Sequence, residues 1–474
     1  MTTISDPVPP QVGSGLESRT RPQSAERWVR GAVTGILGWA ASVFQRIEVV
    51  GGPIPEGPVL VTANHLNALL DPLIIFHVAG RPTSPLAKAP LFDQLVVGTM
   101  LRVLGGLPVY RRQDDPTLMD RNEDTFRGAI AALHRGAAIQ IFPEGKSHSE
   151  PALEPLRTGA ARIALRAEAE ADGALGLQIV PVGLTYEGKQ FFRSRVIAEI
   201  GEPFPVAPWL PAYREHEVEA VRGLTDEIAA RLRDVTLNLE RPEDRPLLEA
   251  AARMYTREKR LHGWREREGL VEHIPRLRRM AVRLEWLRDS DPERYERLAQ
   301  GVREYERIAR AAGAKEGEVP PRYAWRPVAR YVIHEGVALA VGLPLAVIGT
   351  VVWYPTWLAP HWVVPRIDPV PESVATYKLA TGMALAPLTV VLVSLAAWWL
   401  WGWIGALVAA IATPVAGLVA LSWRERWGRV REDTLLFFRV LRRPRFRERM
   451  QERRQELVRE FDRIVEETDG PSPI

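Results

Sequence analysis

The feature that most constrains this chain is an uncharged segment from Thr381 to Trp423. About 20 residues cross a bilayer as a helix, so a segment of this length predicts two membrane helices rather than one. The sequence Trp398-Trp399-Leu400-Trp401-Gly402-Trp403 lies near its middle, and tryptophan favours the membrane–water interface. The sequence therefore predicts a membrane hairpin that turns near residues 398–403.

A second apolar run, Gly336 to Val352, precedes this hairpin and contains Pro344. Basic residues flank the whole region on both sides, so the positive-inside rule places both flanks in the cytoplasm and predicts an even number of crossings. We interpret the run around Pro344 as a re-entrant dip. These observations predict an integral membrane protein with a membrane region at residues 321–425 and any catalytic domain on the cytoplasmic face. The flanking arginines are Arg322, Arg326 and Arg330 before the region and Arg424, Arg426, Arg429 and Arg431 after it.

Composition narrows the possible chemistry. At 474 residues, with 46% hydrophobic and 25% charged residues, the chain is long enough for more than one folded unit. The net charge of +4 fits an anionic membrane surface or phosphorylated substrates. The chain has no cysteine, which excludes disulfides, thiolate zinc sites and a cysteine nucleophile. No nucleic-acid recognition motif is present, and nucleic acid is not an expected partner.

The amino-terminal half divides into three parts. Residues 1–25 have the composition of a disordered start, and residues 26–50 predict a helix. Two interpretations of that helix are open: an amphipathic helix in the membrane interface, or a soluble helix packed on the next domain. Residues 51–213 alternate apolar runs with helical patterns, which predicts an α/β domain whose mixed sheet is flanked by helices. The predicted strands are 59–62, 107–110, 139–142, 178–182 and 196–200; the predicted helices are 72–78, 91–104, 120–135 and 158–171.

Two charged regions complete the chain. Residues 214–320 predict long helices, broken near Arg241-Pro242 and Asp291-Pro292, whose charges are most simply a solvated face. Residues 426–474 predict a basic amphipathic tail that could lie on anionic lipid.

The first chemical motif follows the predicted strand that starts at Val59. His65 stands a few residues before Asp71, and a carboxylate beside an imidazole fixes its tautomer and prepares it to accept a proton from an alcohol. An alternative is that His65 is a buried structural histidine and that Asp71 is a helix N-cap ahead of Pro72.

Three further motifs also lie at predicted strand ends. They are Gly105 to Arg112, Ile141 to His148 with the following Arg157, and Ile179 to Leu184 leading to Arg193 and Arg195. Arginine binds phosphate through a bidentate fork, and open sheets collect ligands at strand ends. A nucleotide-binding P-loop at Gly145-Lys146-Ser147 is excluded, because that motif requires a glycine where this chain has Gln140.

In this order, the four motifs resemble those of the glycerolipid acyltransferase superfamily. The first motif of that superfamily usually has four residues between histidine and aspartate, whereas five separate His65 from Asp71. That spacing is similar to the branch of fungal-type membrane-bound glycerol-3-phosphate/dihydroxyacetone-phosphate acyltransferases. Further similarities to that branch are Leu107-Pro108-Val109 before Arg111, Phe142-Pro143-Glu144-Gly145 with Ser147-His148, Phe192-Arg193-Ser194-Arg195, and Ala375-Thr376-Tyr377-Lys378 ahead of Ala386-Pro387-Leu388.

The resemblance implies a glycerolipid acyltransferase fold with His65 as general base and Asp71 as its orienting partner. It implies an acyl-CoA or acyl-carrier-protein donor and a glycerol-3-phosphate or dihydroxyacetone phosphate acceptor, without a metal or other cofactor. Lysophosphatidate is the alternative acceptor. The residues that the resemblance assigns to substrate binding are Asn67, Arg111, Glu144, Gly145, Ser147, Arg157, Arg193 and Arg195, with Arg157 favoured over Lys146.

Two other classes of function remain open from the sequence. A serine hydrolase using Ser147 lacks the G-x-S-x-G turn of that class. A non-catalytic membrane scaffold that binds lipid would act instead through the charged helices at 214–315. The remaining histidines show no metal-ligand pairing.

Overall fold

The computed structural model describes residues 23–111, 116–148, 152–237, 247–248, 270–311, 325–370, 373–441 and 444–469. The disordered start predicted for residues 1–25 lies outside these ranges up to residue 22, as does the predicted break at Arg241-Pro242.

A mixed eight-stranded sheet forms the centre of the α/β unit, as the sequence predicted. Its strands are β1 (Arg46–Gly51), β2 (Val59–Ala63), β3 (Thr83–Lys88), β4 (Leu107–Val109), β5 (Ala138–Ile141), β6 (Gln178–Tyr186), β7 (Arg195–Ile200) and β8 (Phe204–Pro205). They run in the order β1-β7-β6-β2-β5-β3-β4, with β8 paired to β6. All pairs are parallel except β6 with β7 and with β8.

Burial explains why strand β2 was predictable. Every residue of β2 is buried, and a central parallel strand covered on both faces produces such a continuous apolar run. Strands β1, β3 and β8 were not predicted from the sequence. Strand β1 lies at the edge, is only partly buried and contains charged residues, β3 contains Pro85, and β8 has two residues.

Helices cover both faces of this sheet. The helices of this unit are α1 (Gln23–Phe44), α2 (Leu70–Ala79), α3 (Leu95–Val103), α4 (Asn122–His134), α5 (Gly159–Glu170), α6 (Leu210–Glu215) and α7 (Glu217–Val235). The α/β unit has two hydrophobic cores. Helix α7 lies beyond the predicted boundary at residue 213, but its Leu224 and Leu232 are fully buried in one of these cores. The α/β unit therefore extends to Val235.

Helix α1 combines features of both interpretations of its sequence. Leu37 and Ala41 are buried in the core that α1 shares with α2. The opposite face exposes Trp28, Ile36 and Trp39. The helix is thus packed on the α/β unit and also carries an apolar stripe on its outer face.

Two helices in the described part of the chain are long and apolar enough to cross a membrane. They are α10 (Trp325–Ile367) and α11 (Val374–Leu441). Lys378 donates to the carbonyl of Gln190 (2.9 Å), and Glu425 accepts from Arg193 (2.6 Å). A straight helix would separate Lys378 from Glu425 by about 70 Å, yet their partners are three residues apart, so α11 must reverse direction.

The reversal occurs at Gly402, whose φ of 70° and ψ of −166° interrupt the helix. This confirms the turn predicted near residues 398–403. The re-entrant dip predicted around Pro344 is wrong, because helix α10 continues through this proline without reversing. Helix α10 packs along α11, where Trp423 donates to the carbonyl of Leu339 (2.8 Å). The number of crossings and the orientation stay predictions.

The remaining helices form a bundle with its own core, made of α8 (Leu270–Ser290), α9 (Pro292–Ala311) and α12 (Pro444–Asp469). The break predicted at Asp291-Pro292 is confirmed. The apolar faces of these helices cover one another, so the interpretation that the apolar face of α12 lies on lipid is wrong. The charged residues lie outside this apolar core, and many of them are exposed, which agrees with the predicted solvated face. The predicted basic character belongs to residues 426–474 as a whole, which have 13 arginines against 10 acidic residues, whereas helix α12 alone has seven arginines against eight acidic residues. The shared core includes Met280, Leu284, Leu287, Leu298, Val302, Leu457, Phe461 and Ile464.

Candidate active site

The loop between β2 and α2 is fixed to the sheet by Asn64. Its side-chain amide donates to the carbonyl of Leu184 (3.0 Å), and its oxygen accepts from the Leu184 N–H (2.7 Å). These two hydrogen bonds resemble those between paired residues of a β-sheet, and they extend the contact of β2 with β6. The position of the next residue, His65, is therefore determined by the sheet.

The side chains of His65, in this loop, and Asp71, in the first turn of α2, contact each other. Nδ1 of His65 lies 2.9 Å from Oδ2 of Asp71, which also accepts the Asn67 N–H (2.7 Å). Because a carboxylate only accepts hydrogen bonds, the contact assigns the proton of the neutral ring to Nδ1 and leaves Nε2 to take up a proton. The N-cap alternative for Asp71 is wrong: α2 begins at Leu70, its N-cap is Leu69, and that cap has no side-chain hydrogen bond.

Tyr186 completes the environment of the buried carboxylate. Its hydroxyl donates to Oδ1 of Asp71 (2.5 Å). Burial, followed by the charge of Asp71, raises the pKa of Tyr186 well above its usual value, so the hydroxyl remains a donor. Asp71 is fully buried, and its two oxygens together meet three partners, as a buried charge requires.

The imidazole of His65 is held in place but remains accessible. It stacks on Phe142, with ring centroids 4.3 Å apart and an interplanar angle of 22°. Its side chain is 14% exposed, whereas that of Asp71 is fully enclosed. The pair thus presents one ring edge towards solvent.

The turn after β5 supports His65 from its other side. Gly145 has a φ of 74°, which favours glycine, and its N–H donates to the carbonyl of Phe142 (3.0 Å). Oε2 of Glu144 accepts the main-chain N–H of His65 (2.8 Å). Glu144 is 2% exposed and Asn67 is 1% exposed. This burial favours positioning roles for both residues over the substrate contacts that the sequence suggested.

Two of the predicted arginines lie against this turn. Nη1 of Arg111 donates to the carbonyl of Gly145 (3.3 Å). Nε of Arg157 would be 2.5 Å from a Cβ on Gly145, so the glycine makes room for its side chain. Ser147 is half-buried in the same segment, whereas Lys146 is half-exposed and pairs with Glu154 (3.1 Å).

The structure does not bring the other two predicted arginines into contact with the His65–Asp71 pair in the described part of the chain. Arg193 binds Glu425 and also donates to the carbonyls of Ser42 and Val43 at the end of α1. Arg195 pairs with Glu187 (3.2 Å).

Lys189 is a site residue that the sequence analysis missed. Its Nζ donates to the carbonyls of Leu66 (3.2 Å) and His148 (3.4 Å), while its own carbonyl accepts from Asn67 (3.2 Å). It therefore links the loops that follow β2, β5 and β6. The sequence signal for Lys189 is its position after β6, in the same segment as Arg193.

The membrane hairpin also contacts the site. Oγ1 of Thr376, near the start of α11, accepts the N–H of Leu69 in the loop that carries His65 (3.2 Å). The side chains of Ala375 and Leu379 are buried in the core behind this loop. The described residues contain no group of three potential metal ligands, and the absence of a cofactor stays a prediction.

Comparison with known proteins identifies the domain. Residues 46–185 match the family model described as Acyltransferase. An uncharacterized acyltransferase of Schizosaccharomyces pombe is 28% identical over 286 residues, 42% of each chain. Glycerol-3-phosphate O-acyltransferase 2 of Saccharomyces cerevisiae is 37% identical over 135 residues, 28% of this chain and 18% of the relative.

A bacterial relative has a different named acceptor. The 1-acyl-sn-glycerol-3-phosphate acyltransferase of Borreliella burgdorferi is 30% identical over 165 residues, 34% of this chain and 59% of the relative. The chain spans less than half the length of the two fungal relatives. Residues 46–185, with the His65–Asp71 pair inside them, are therefore an acyltransferase domain of the glycerolipid acyltransferase superfamily.

Proposed function

We propose that this protein transfers a fatty acyl group from acyl-CoA or acyl-carrier protein to a hydroxyl of glycerol-3-phosphate or dihydroxyacetone phosphate. The observation that carries the proposal is the contact of His65 with the fully buried Asp71 inside an acyltransferase domain. The fungal glycerol-3-phosphate acyltransferase supports this choice of acceptor.

In the proposed reaction, Nε2 of His65 takes the proton of the acceptor hydroxyl while Asp71 stabilises the imidazolium. The hydroxyl oxygen then attacks the carbonyl carbon of the thioester. When the C–S bond breaks, the departing thiolate takes the proton from His65, and an ester and a free thiol remain. A positioned base of this kind contributes about 100- to 10,000-fold to the rate.

The arginines at the Gly145 turn are proposed to hold the acceptor phosphate. Arg111 and Arg157 both lie against the main chain of the turn that binds His65, so a phosphate gripped there would keep its hydroxyl close to the base. Positioning of this kind can be worth about 7 to 11 kcal/mol. Ser147 is proposed as a further contact in the same turn.

The membrane hairpin is proposed to keep this site beside the bilayer. The product is an amphiphile, while the phosphorylated acceptor and the donor are proposed to arrive from the cytoplasmic side. The contact of Thr376 with the His65 loop supports a site close to the membrane surface.

The test is acyl transfer by membranes containing the full chain, with glycerol-3-phosphate, dihydroxyacetone phosphate and lysophosphatidate as separate acceptors. We expect the first two to be used, and His65→Ala to lower the rate at least about 100-fold. His216→Ala is the matched control, because His216 is 65% exposed. Unchanged transfer by His65→Ala would contradict the catalytic assignment.

Lysophosphatidate is the second candidate acceptor, and the Borreliella burgdorferi relative favours it. Selective use of lysophosphatidate in the same assay would replace the first proposal. A non-catalytic scaffold predicts instead that no acceptor is acylated and that the double variant His65→Ala, Asp71→Asn keeps its biological role.

A further inference from the structure

A second imidazole, that of His148, lies close to the main chain of the proposed base His65. His148 is 7% exposed, and its Nε2 lies 3.0 Å from Oε2 of Glu144. The same Oε2 accepts the main-chain N–H of His65, and the main-chain N–H of His148 donates to the carbonyl of His65 (3.0 Å). Glu144 and His148 therefore hold both polar groups of the His65 backbone.

The charges around this pair favour a proton on His148. Burial alone lowers the pKa of His148, but contact with Glu144 and the charge of Glu154 outweigh burial and the repulsion of Lys146, so the pKa is raised. The ammonium of Lys189 donates to the main-chain carbonyl of His148 (3.4 Å) and not to its ring. A carboxylate as buried as Glu144 is costly without a partner of opposite charge, and His148 can supply one.

We propose that His148 is a second ionisable residue of this site, a positioning residue that in its protonated form holds Glu144 against the main chain of His65. This proposal rests on the proposed acyl transfer for its kinetic readout. It predicts two opposing requirements: His65 must be neutral to accept a proton, whereas His148 must be charged to support it. Activity should therefore decline as rising pH removes the proton from His148.

The first experiment compares kcat and KM of the wild type and His148→Gln across pH in membranes containing the full chain. Glutamine retains a hydrogen-bond donor but does not titrate in this range. We expect kcat about 10- to 100-fold below wild type, an unchanged acceptor KM and no alkaline decline, because a displaced base costs a factor of this size. A variant with the wild-type profile, or with a lower kcat and the same alkaline decline, would overturn the proposal.

The second experiment needs no turnover, so its failure is distinct from failure of the proposed function. Hydrogen–deuterium exchange at the C2 position of each histidine, read by mass spectrometry, reports the titration of His148 in the solubilised full chain. Glu144→Gln should move its midpoint to lower pH, because the carboxylate that favours the proton is gone. The exposed His216 in the same sample is the internal control, and an unmoved His148 midpoint would refute the pairing.

Discussion

The four arginines predicted to bind substrate fall into two pairs that have different surroundings in the structure. Arg111, which follows β4, and Arg157, which precedes α5, lie against Gly145 in the turn after β5, close to the contact between the Glu144 carboxylate and the main-chain N–H of His65. The segment after β6 sends Arg193 and Arg195 to carboxylates of the protein itself. The comparison teaches that arginines near strand ends can serve different purposes: two lie against the turn that binds His65, and two bind carboxylates of the protein.

The role of Arg193 follows from its neighbours. Its guanidinium contacts the carbonyls of Ser42 and Val43, where the carboxyl end of α1 carries partial negative charge. Glu425, near the far end of the membrane hairpin, binds the same guanidinium and also pairs with Arg46 (2.7 Å). Arg193 thus connects α1, the sheet and the hairpin.

The largest effect that sharpens this comparison is expected for Arg111→Ala. Loss of a charge-assisted contact with phosphate should lower kcat/KM for the phosphorylated acceptor by about 10- to 100-fold, since such contacts are worth about 1.5 to 3 kcal/mol. Steady-state kinetics with varied acceptor measures it. Arg111→Lys is the control and should recover part of the loss, because the positive charge remains while the bidentate contact of the guanidinium is lost. A wild-type KM in Arg111→Ala would remove the difference between the two pairs of arginines.

A somewhat smaller effect is expected for Gly145→Ala. The new Cβ would lie 2.5 Å from Nε of Arg157, so the guanidinium must move, and we expect kcat/KM to fall about 10-fold, as for one weakened charged contact. Gly136→Ala is the matched control, since Gly136 has a φ of 76° and nothing within 4 Å of the added Cβ. Both variants bear the same backbone strain. Equal kinetics for the two would show that the position of Arg157 is unimportant.

A third prediction concerns stability rather than activity. Arg193→Met keeps most of the apolar stem but removes the hydrogen bonds to Glu425 and to the end of α1. We expect the free energy of unfolding to fall by about 1 to 3 kcal/mol, with an unchanged acceptor KM for the folded protein. Denaturant unfolding of the solubilised protein measures the first, and acceptor titration the second. A raised KM with full stability would instead make Arg193 a substrate contact.

The smallest effect is expected for Arg195→Ala. Its partner Glu187 is half-exposed, and exposed ion pairs contribute about 0 to 1 kcal/mol. The variant should match wild type in acceptor KM and differ by less than about 1 kcal/mol in stability. The same two measurements as for Arg193→Met provide the check. A large kinetic defect would return Arg195 to the set of phosphate ligands.

Several parts of the architecture were predictable because they depend on local patterns. Buried strand β2 is a mostly apolar run. The break at Asp291-Pro292 is indicated by its proline, and the turn at Gly402 is indicated by the tryptophans in the middle of an uncharged segment. Strand β3 was missed because Pro85 lies within it. The lipid-facing interpretation of α12 failed because amphipathicity shows that a helix has an apolar face and does not show what covers it.

What the sequence determined by itself is the set of chemical groups and their order: His65 and Asp71 beside one strand, arginines after others, no cysteine, and a hairpin of membrane length. Only the tertiary structure decided which groups meet. Tyr186 reaches Asp71 across 115 residues of chain, and Arg193 reaches Glu425 across 232. Such pairings depend on how sheet and helices pack, because a charged or polar side chain is satisfied by whichever partner the fold brings within hydrogen-bond distance.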